Sequence, residues 1–199
     1  MKKVLVIGST GLIGSHIMHA LEGRHDALGV SLTSTPFNVD ISSPPSIKQL
    51  FEQVGKVDAI ICVAGVAKFV DWHEATDEDW QFSVSNKLMG QINLLRFGES
   101  YLNDSGIVIL TTGVMAQHPI VGSGLLTTAN AGVEAAIMSF NLETKRTVKA
   151  FAMSPGWIKE AMEHLGMDSS GGTPVRNIAE RYVNVIESDH EGHVIDPTV

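Results

Sequence analysis

The sequence predicts an α/β fold, a doubly wound parallel sheet in three layers, and three observations carry that prediction. Short apolar runs recur along the chain. Stretches long enough for a helix separate them. The runs are continuous rather than alternating apolar and polar, as strands require when helices cover both faces of a parallel sheet.

The runs are Val4–Ile7, Ala27–Leu32, Val57–Val63, Ile107–Leu110 and Val148–Met153, each read as a strand. After the first strand, a helical pattern starts with Ser15-His16-Ile17-Met18. Ser43 precedes Pro44 and Pro45, and proline suits the first helical turn because its missing N–H would have no partner there, so a helix is expected over about Pro45–Val54. Thr76 with Asp79 has capping-box spacing and opens a long helical pattern towards Leu102. A further helix fits Thr128–Lys145, where Ala129, Ala131, Gly132, Ala135 and Ala136 allow close packing on the sheet or on a second copy. Asp168–Pro174 is the most loop-like stretch and a candidate mobile lid.

The chain has 199 residues, 44% hydrophobic and 18% charged, the size of one domain, expected to span 1–199. No run of about 18 apolar residues is present to cross a bilayer. The start, Met-Lys-Lys-Val-Leu-Val-Ile-Gly, is too short and too glycine-interrupted for a signal peptide, so a cytoplasmic protein without a membrane partner is expected. Lys and Arg number 14 against 22 Asp and Glu; the net charge of −8 repels a phosphate backbone, so nucleic acid is not an expected partner. The single cysteine, Cys62, lies in an apolar run and reads as a buried, inert thiol.

Directly after the first strand stands Gly8-Ser9-Thr10-Gly11-Leu12-Ile13-Gly14. Glycines here let the backbone turn tightly against a pyrophosphate, while the following helix offers free N–H groups and a partial positive charge. Dinucleotide binding at Gly8–Gly14 is therefore expected. A carboxylate at the end of the second strand would bond the ribose 2′-hydroxyl of NAD, but Ser31-Leu32-Thr33-Ser34-Thr35 has none. Ser31 and Thr33 offer hydroxyls to a 2′-phosphate, which favours NADP over NAD, although an ordinary polar loop reads equally well.

The ordered motifs resemble those of the short-chain dehydrogenase/reductases over nearly the whole length. After the glycine turn come Val39-Asp40-Ile41, resembling the family's Asp beside the adenine; Val63-Ala64-Gly65, at the place of its Asn-Asn-Ala-Gly; and Ser154-Pro155-Gly156 after a late strand. The glycine spacing is closer to that of the extended and atypical branches than to the usual single-domain members. The resemblance implies an NAD(P)-binding Rossmann fold, with cofactor contacts at Asp40, Ile41, Val63, Ala64, Gly65, Pro155, Gly156 and Ile158. It also implies a homodimer or homotetramer formed through the helices at about Trp80–Leu102 and Thr128–Lys145.

The family's chemistry uses Ser, Tyr, Lys and Asn. Ile107-Val108-Ile109-Leu110-Thr111-Thr112-Gly113 resembles the strand ending in the catalytic Ser, which puts Thr112 there with its hydroxyl retained. Leu126 falls at the Tyr position and Asn130 at the Lys, while the family's Asn falls on Lys87. Lysine and asparagine are thus exchanged. Lys87 and Asn130 would meet over the nicotinamide ribose from opposite helices; alternatively, Lys87 is a solvated residue and Asn130 a packing or hydrogen-bonding one.

Reduction of a carbonyl needs a proton donor, and leucine cannot serve. His118, six residues past Thr112, is a candidate, with a surface histidine as the alternative. Glu160 replaces the family's Thr near the pyrophosphate and opposes dinucleotide binding unless Lys159 or another cation compensates. The pairs His16/His19 and His190/His193 lack the further ligands of a metal site, so no metal is expected. Asn103-Asp104-Ser105 matches a glycosylation sequon by chance. Two functions follow: an oxidoreductase of a small carbonyl or alcohol substrate with a non-standard active site, or a catalytically silent dinucleotide-binding sensor or scaffold.

Overall fold

Backbone groups of a buried strand must bond to neighbouring strands, and the apolar runs do so in one parallel sheet. A computed structural model describes residues 1–198. The strands are β1 (Lys3–Ile7), β2 (Asp26–Val30), β3 (Val57–Cys62), β4 (Leu102–Thr111), β5 (Lys149–Met153) and a short β6 (Val194–Ile195). Their order is β2-β1-β3-β4-β5-β6, with every pairing parallel. Ser31, expected in the second strand, makes only an isolated bridge to Asn38.

The helices are α1 (Leu12–Leu21), α2 (Pro44–Val54), α3 (Asp77–Ser83), α4 (Met89–Gly98), α5 (Gly124–Glu143), α6 (Lys159–His164) and α7 (Val175–Glu187). Alternate strand residues face opposite sides. Leu5, Ile7, Ile60, Val108 and Leu110 pack with residues of α2, α4 and α5. Val4, Val6, Ile61, Ile109 and Met153 pack with α1 and α7. The three layers follow from that alternation, and the strands read as unbroken apolar runs because each face has its own core.

Several boundaries differ from expectation. Helix α1 begins at Leu12, a turn before the predicted start, so it rises directly out of the glycine turn. The pattern towards Leu102 is not one helix. Thr76 and Asp79 form the complete reciprocal capping box, but after α3 the backbone widens into a π-helical turn, Val84–Leu88, before α4, and Glu99–Tyr101 is a 3-10 turn. Helix α5 starts at Gly124 rather than Thr128 and ends at Glu143.

Strand β4 starts at Leu102, five residues before the expected Ile107. Its pairing jumps from Val57 with Leu102 to Ala59 with Ile107. The extra residues carry the sequon, and Asn103 Nδ2 donates to Asp58 Oδ1 at 2.7 Å. The loop ending at Pro174 is anchored at Thr173, whose N–H donates to Trp157 O and whose carbonyl accepts from Lys159 N, both at 2.9 Å.

Because β1 is followed in sequence by β2 on one side and flanked by β3 on the other, the connections diverge at the carboxyl ends of β1 and β3. A crevice opens at such a reversal in open α/β sheets.

Candidate functional site

The glycine turn occupies that crevice. Gly8 has φ +91°, and a Cβ on it would come within 2.9 Å of Ala64 N. A Cβ on Gly14 would lie 2.1 Å from Gly8 O, so the turn closes only with glycine at both places. The N–H groups of Leu12, Ile13 and Gly14 lie in the first turn of α1, where no intrahelical acceptor exists, and Gly11 caps the helix without a side-chain bond. They offer donors and a positive helix end to an anion.

The adjoining cleft has a volume of about 380 Å³ and is walled by Gly8, Thr10, Gly11, Val63, Ala64 and Gly65, with Ser31, Asp40 and Ile41 at its far side. Ser31 is buried, and its Oγ has no hydrogen-bond partner among the described residues. Asp40 is partly turned to local structure, its Oδ1 accepting from Ser42 N at 2.9 Å and Ser42 Oγ at 2.7 Å. The cradle, the free N–H groups and the orphaned hydroxyl fit a dinucleotide.

Other predicted cofactor residues lie outside the cleft walls. Ser9 packs towards Gly29 of β2, Ile13 and Ile158 pack against the α1/α7 core, Leu12 and Thr33 are exposed, and Gly14 is buried in the turn. Pro155 and Gly156 reach the loop after β4, where Val114 N donates to Pro155 O at 3.1 Å. Glu160 is held by a group other than Lys159. Its Oε2 accepts from Val175 N at 2.8 Å at the start of α7, whereas Lys159 approaches Glu163 at 4.0 Å.

A second set of polar groups surrounds the end of β4. Lys87 is not solvated: the π-helical turn carries it inward to 7% exposure, and burial lowers its amine from 10.5 to about 8. Its Nζ donates to Thr111 O at 3.1 Å. Gln91, one turn further, donates to the same carbonyl and accepts from Thr111 N, each at 2.9 Å. Gly65, at φ +120°, is shaped to this lysine, since a Cβ there would sit 3.3 Å from Lys87 Cα.

On the opposite side of Thr111, its Oγ1 donates to Cys62 O at 2.6 Å and pairs with Tyr182 Oη at 2.7 Å. Burial pushes the Cys62 thiol up to about 12, which makes it the inert group expected.

Thr112 is also buried, with its Oγ1 donating to Glu134 Oε1 at 2.9 Å. Gln117 Nε2 donates to the other carboxylate oxygen. Asn130, one helical turn before Glu134 on α5, lies beside Gly113, where a Cβ would be 3.4 Å from its Nδ2. Its Oδ1 has no partner among the described residues. Lys87 and Asn130 thus flank the end of β4 from different helices with no hydrogen bond between them: Lys87 engages Thr111, and Asn130 stands at Gly113. His118 is exposed on the following loop and joins neither group.

Sequence reasoning missed Gln91, Gln117 and Glu134. Two of them were signalled by helical spacing, Gln91 being four residues from Lys87 and Glu134 four from Asn130. Gln117 had no such signal because it sits on a loop. Among the described residues no group of three His, Cys, Asp or Glu could hold a metal ion, and no helix is long and apolar enough to cross a membrane.

Comparisons with known proteins agree with this fold. Residues 11–179 match the family described as enoyl-(acyl carrier protein) reductase. The crystal structure of protein lin1944 from Listeria innocua is 34% identical, with a TM-score of 0.92, covering 98% of this chain and 99% of that one. A small-chain dehydrogenase solved in complex with NADPH has the same fold at 22% identity, with a TM-score of 0.85 over 98% of this chain and 96% of that one. Hydroxynaphthalene reductase arp2 of Aspergillus fumigatus is 25% identical over 99 residues, 48% of this chain. That match spans 36% of the curated relative's length.

Proposed function

The chain belongs to the short-chain dehydrogenase/reductase family, and from that premise we propose that it is an NAD(P)-dependent oxidoreductase acting on a small carbonyl or alcohol substrate through a non-standard active site. The cleft at Gly8–Gly14 carries the reading: glycines that admit no side chain, donors at the start of α1 and a wall formed by Val63–Gly65 suit a pyrophosphate and its nucleoside. NADP is the preferred cofactor. No carboxylate closes the end of β2, Ser31 presents an unpartnered hydroxyl there, and one structural relative was solved with NADPH.

Bound in the cleft, the dinucleotide supplies or removes a hydride. The chain's own residues do the rest. Thr112 holds the substrate oxygen, Lys87 places a cation under the Gly65 wall in the place of the family's asparagine, and Asn130 offers its amide in the place of the family's lysine. Leu126 stands where the family has its tyrosine, so the usual proton donor is replaced. Leu126 also favours a second reading, a dinucleotide-binding sensor or scaffold without turnover. A homodimer or homotetramer in the cytoplasm completes the proposal, supported by the long helix α5 and by the single, buried cysteine.

Calorimetric titration with NADPH and NADH tests the cleft. Micromolar binding, tighter for NADPH and abolished in Gly14→Ala, is the expected result. If neither dinucleotide binds below about 1 mM, roughly −4 kcal/mol, the oxidoreductase reading is wrong. Binding without turnover of any carbonyl or alcohol favours the sensor.

A further inference from the structure

We propose that Glu134 is the proton acceptor behind Thr112, and that this pair fits the site to a substrate arriving as an alcohol; the inference rests on the oxidoreductase reading above. A hydroxyl has one hydrogen to donate and two lone pairs to accept with. In this structure Thr112 Oγ1 stands 2.9 Å from Glu134 Oε1 and 3.4 Å from Met153 O, so its hydrogen goes to the nearer carboxylate oxygen. An ionised carboxylate only accepts, so while Glu134 is charged Thr112 presents lone pairs to a substrate.

A carbonyl oxygen brought to Thr112 would meet lone pairs, whereas the O–H of an alcohol would satisfy one of them.

Glu134 itself needs an explanation. It is 7% exposed, and no Lys, Arg or His forms an ion pair with it among the described residues. It lies within α5, far from either end of the helix, so it caps nothing. Burying a carboxylate against only a hydroxyl and an amide is unfavourable compared with an apolar side chain, and the packing of α5 on β4 does not require it. A proton acceptor placed behind a hydroxyl does require it.

The proton path is short. The substrate O–H proton passes to Thr112 Oγ1 as the Thr112 proton passes to Glu134 Oε1. The substrate C–H bond breaks with its electron pair leaving to the oxidised nicotinamide dinucleotide, and the C–O bond becomes a carbonyl. Glu134, then protonated, returns its proton to water at the side of exposed Gln117. The balance is one alcohol oxidised, one dinucleotide reduced and one proton released. Thr112 touches substrate; Glu134 acts through it as a positioning residue. The other titratable groups around the end of β4 are Lys87 from the π-helical turn, Cys62 from β3, whose carbonyl accepts from Thr111, Tyr182 from α7, held on Thr111, and His118 in the loop after Gln117.

The test uses the full chain with saturating NADP⁺ and a panel of secondary alcohols from 2-butanol to 1-phenylethanol, followed by dinucleotide reduction across pH. The wild type should oxidise alcohols with kcat/KM falling tenfold per pH unit on an acid limb. Glu134→Gln should lower kcat/KM about a hundredfold and remove that limb, and Glu134→Asp should restore part of both. His118→Asn should retain the limb.

A second readout needs no turnover. Trifluoroethanol, an alcohol that resists losing hydride, should bind the NADP⁺-loaded protein about tenfold more weakly in Glu134→Gln. Each variant is first matched to the wild type in melting temperature and NADP⁺ affinity; if Glu134→Gln is unstable, Glu134→Asp carries the comparison. An unchanged acid limb and unchanged trifluoroethanol affinity would make Glu134 a packing group and overturn the proposal. Tight NADP⁺ binding with no alcohol oxidised overturns the alcohol assignment alone, whereas absence of NADP⁺ binding overturns the reading beneath it.

Discussion

Lys87 illustrates how one residue can be unfavourable for folding and favourable for binding. Burial lowers its amine to about 8, against 10.5 in an unfolded chain. Between those values the folded chain binds fewer protons than the unfolded one, so stability rises with pH through the window and the penalty is complete below about pH 8. Lys87→Met removes the amine, while Gln91 continues to hold the Thr111 carbonyl. The variant should therefore be more stable at pH 7 by up to about 3 kcal/mol, an advantage that shrinks towards pH 10.5. Urea denaturation at pH 7 and pH 10 measures it. The same variant should bind NADPH at least about tenfold more weakly, because a cation under the cleft wall is lost. A gain in stability without a loss of affinity would remove Lys87 from the site.

At the scale of the element, the segment from Thr76 to Gly98 shows why a helix start can be legible while its course is not. Thr76 Oγ1 accepts from Asp79 N at 3.2 Å, and Asp79 Oδ2 accepts from Thr76 N at 3.1 Å, a reciprocal pair available from residue types and spacing alone. Thr76→Ala should lower stability by about 1 kcal/mol, read from urea denaturation, with little change in dinucleotide affinity because the cap lies outside the cleft. The widened turn that follows is set by tertiary contacts. Ser83 Oγ accepts from Lys68 N and Asn86 Oδ1 from Val66 N, both at 2.9 Å, tying the loop after β3 to the helix as it turns Lys87 inward. A continuous helix would have shifted the register of every residue beyond it, Lys87 and Gln91 included.

For the whole molecule, the helices of one layer leave an apolar face open. Met138 and Leu142, four residues apart on α5, are 49% and 84% exposed, while Ala136 and Phe140 of the same helix line a cavity of about 600 Å³ that reaches across to Arg96 of α4. A second copy seated there would account for both side chains and for the small residues of α5. Sedimentation velocity should show a dimer or tetramer that Leu142→Glu shifts towards monomer while the melting transition persists. A monomeric wild type would leave the oligomer proposal without support.

Layering and strand content were legible because continuous apolar runs are uniquely suited to a sheet covered on both faces, and the glycine turn because Gly8 and Gly14 answer a local steric demand. Thr112 was singled out by the family resemblance of the strand that it follows. The burial of Lys87, the Glu160 contact with α7 and the Thr112–Glu134 pair were not, since each joins groups far apart in the chain, and residue spacing carries no information about which side chain meets which across a sheet. Sequence by itself determined strands β1 to β5, helices α1, α2 and α5 to within about a turn, and the glycine turn, whose causes lie within a few residues, but not β6, α6 or α7. Only the tertiary structure decided which polar groups gather at the end of β4, because hydrogen bonds to buried groups depend on distances that the fold alone sets.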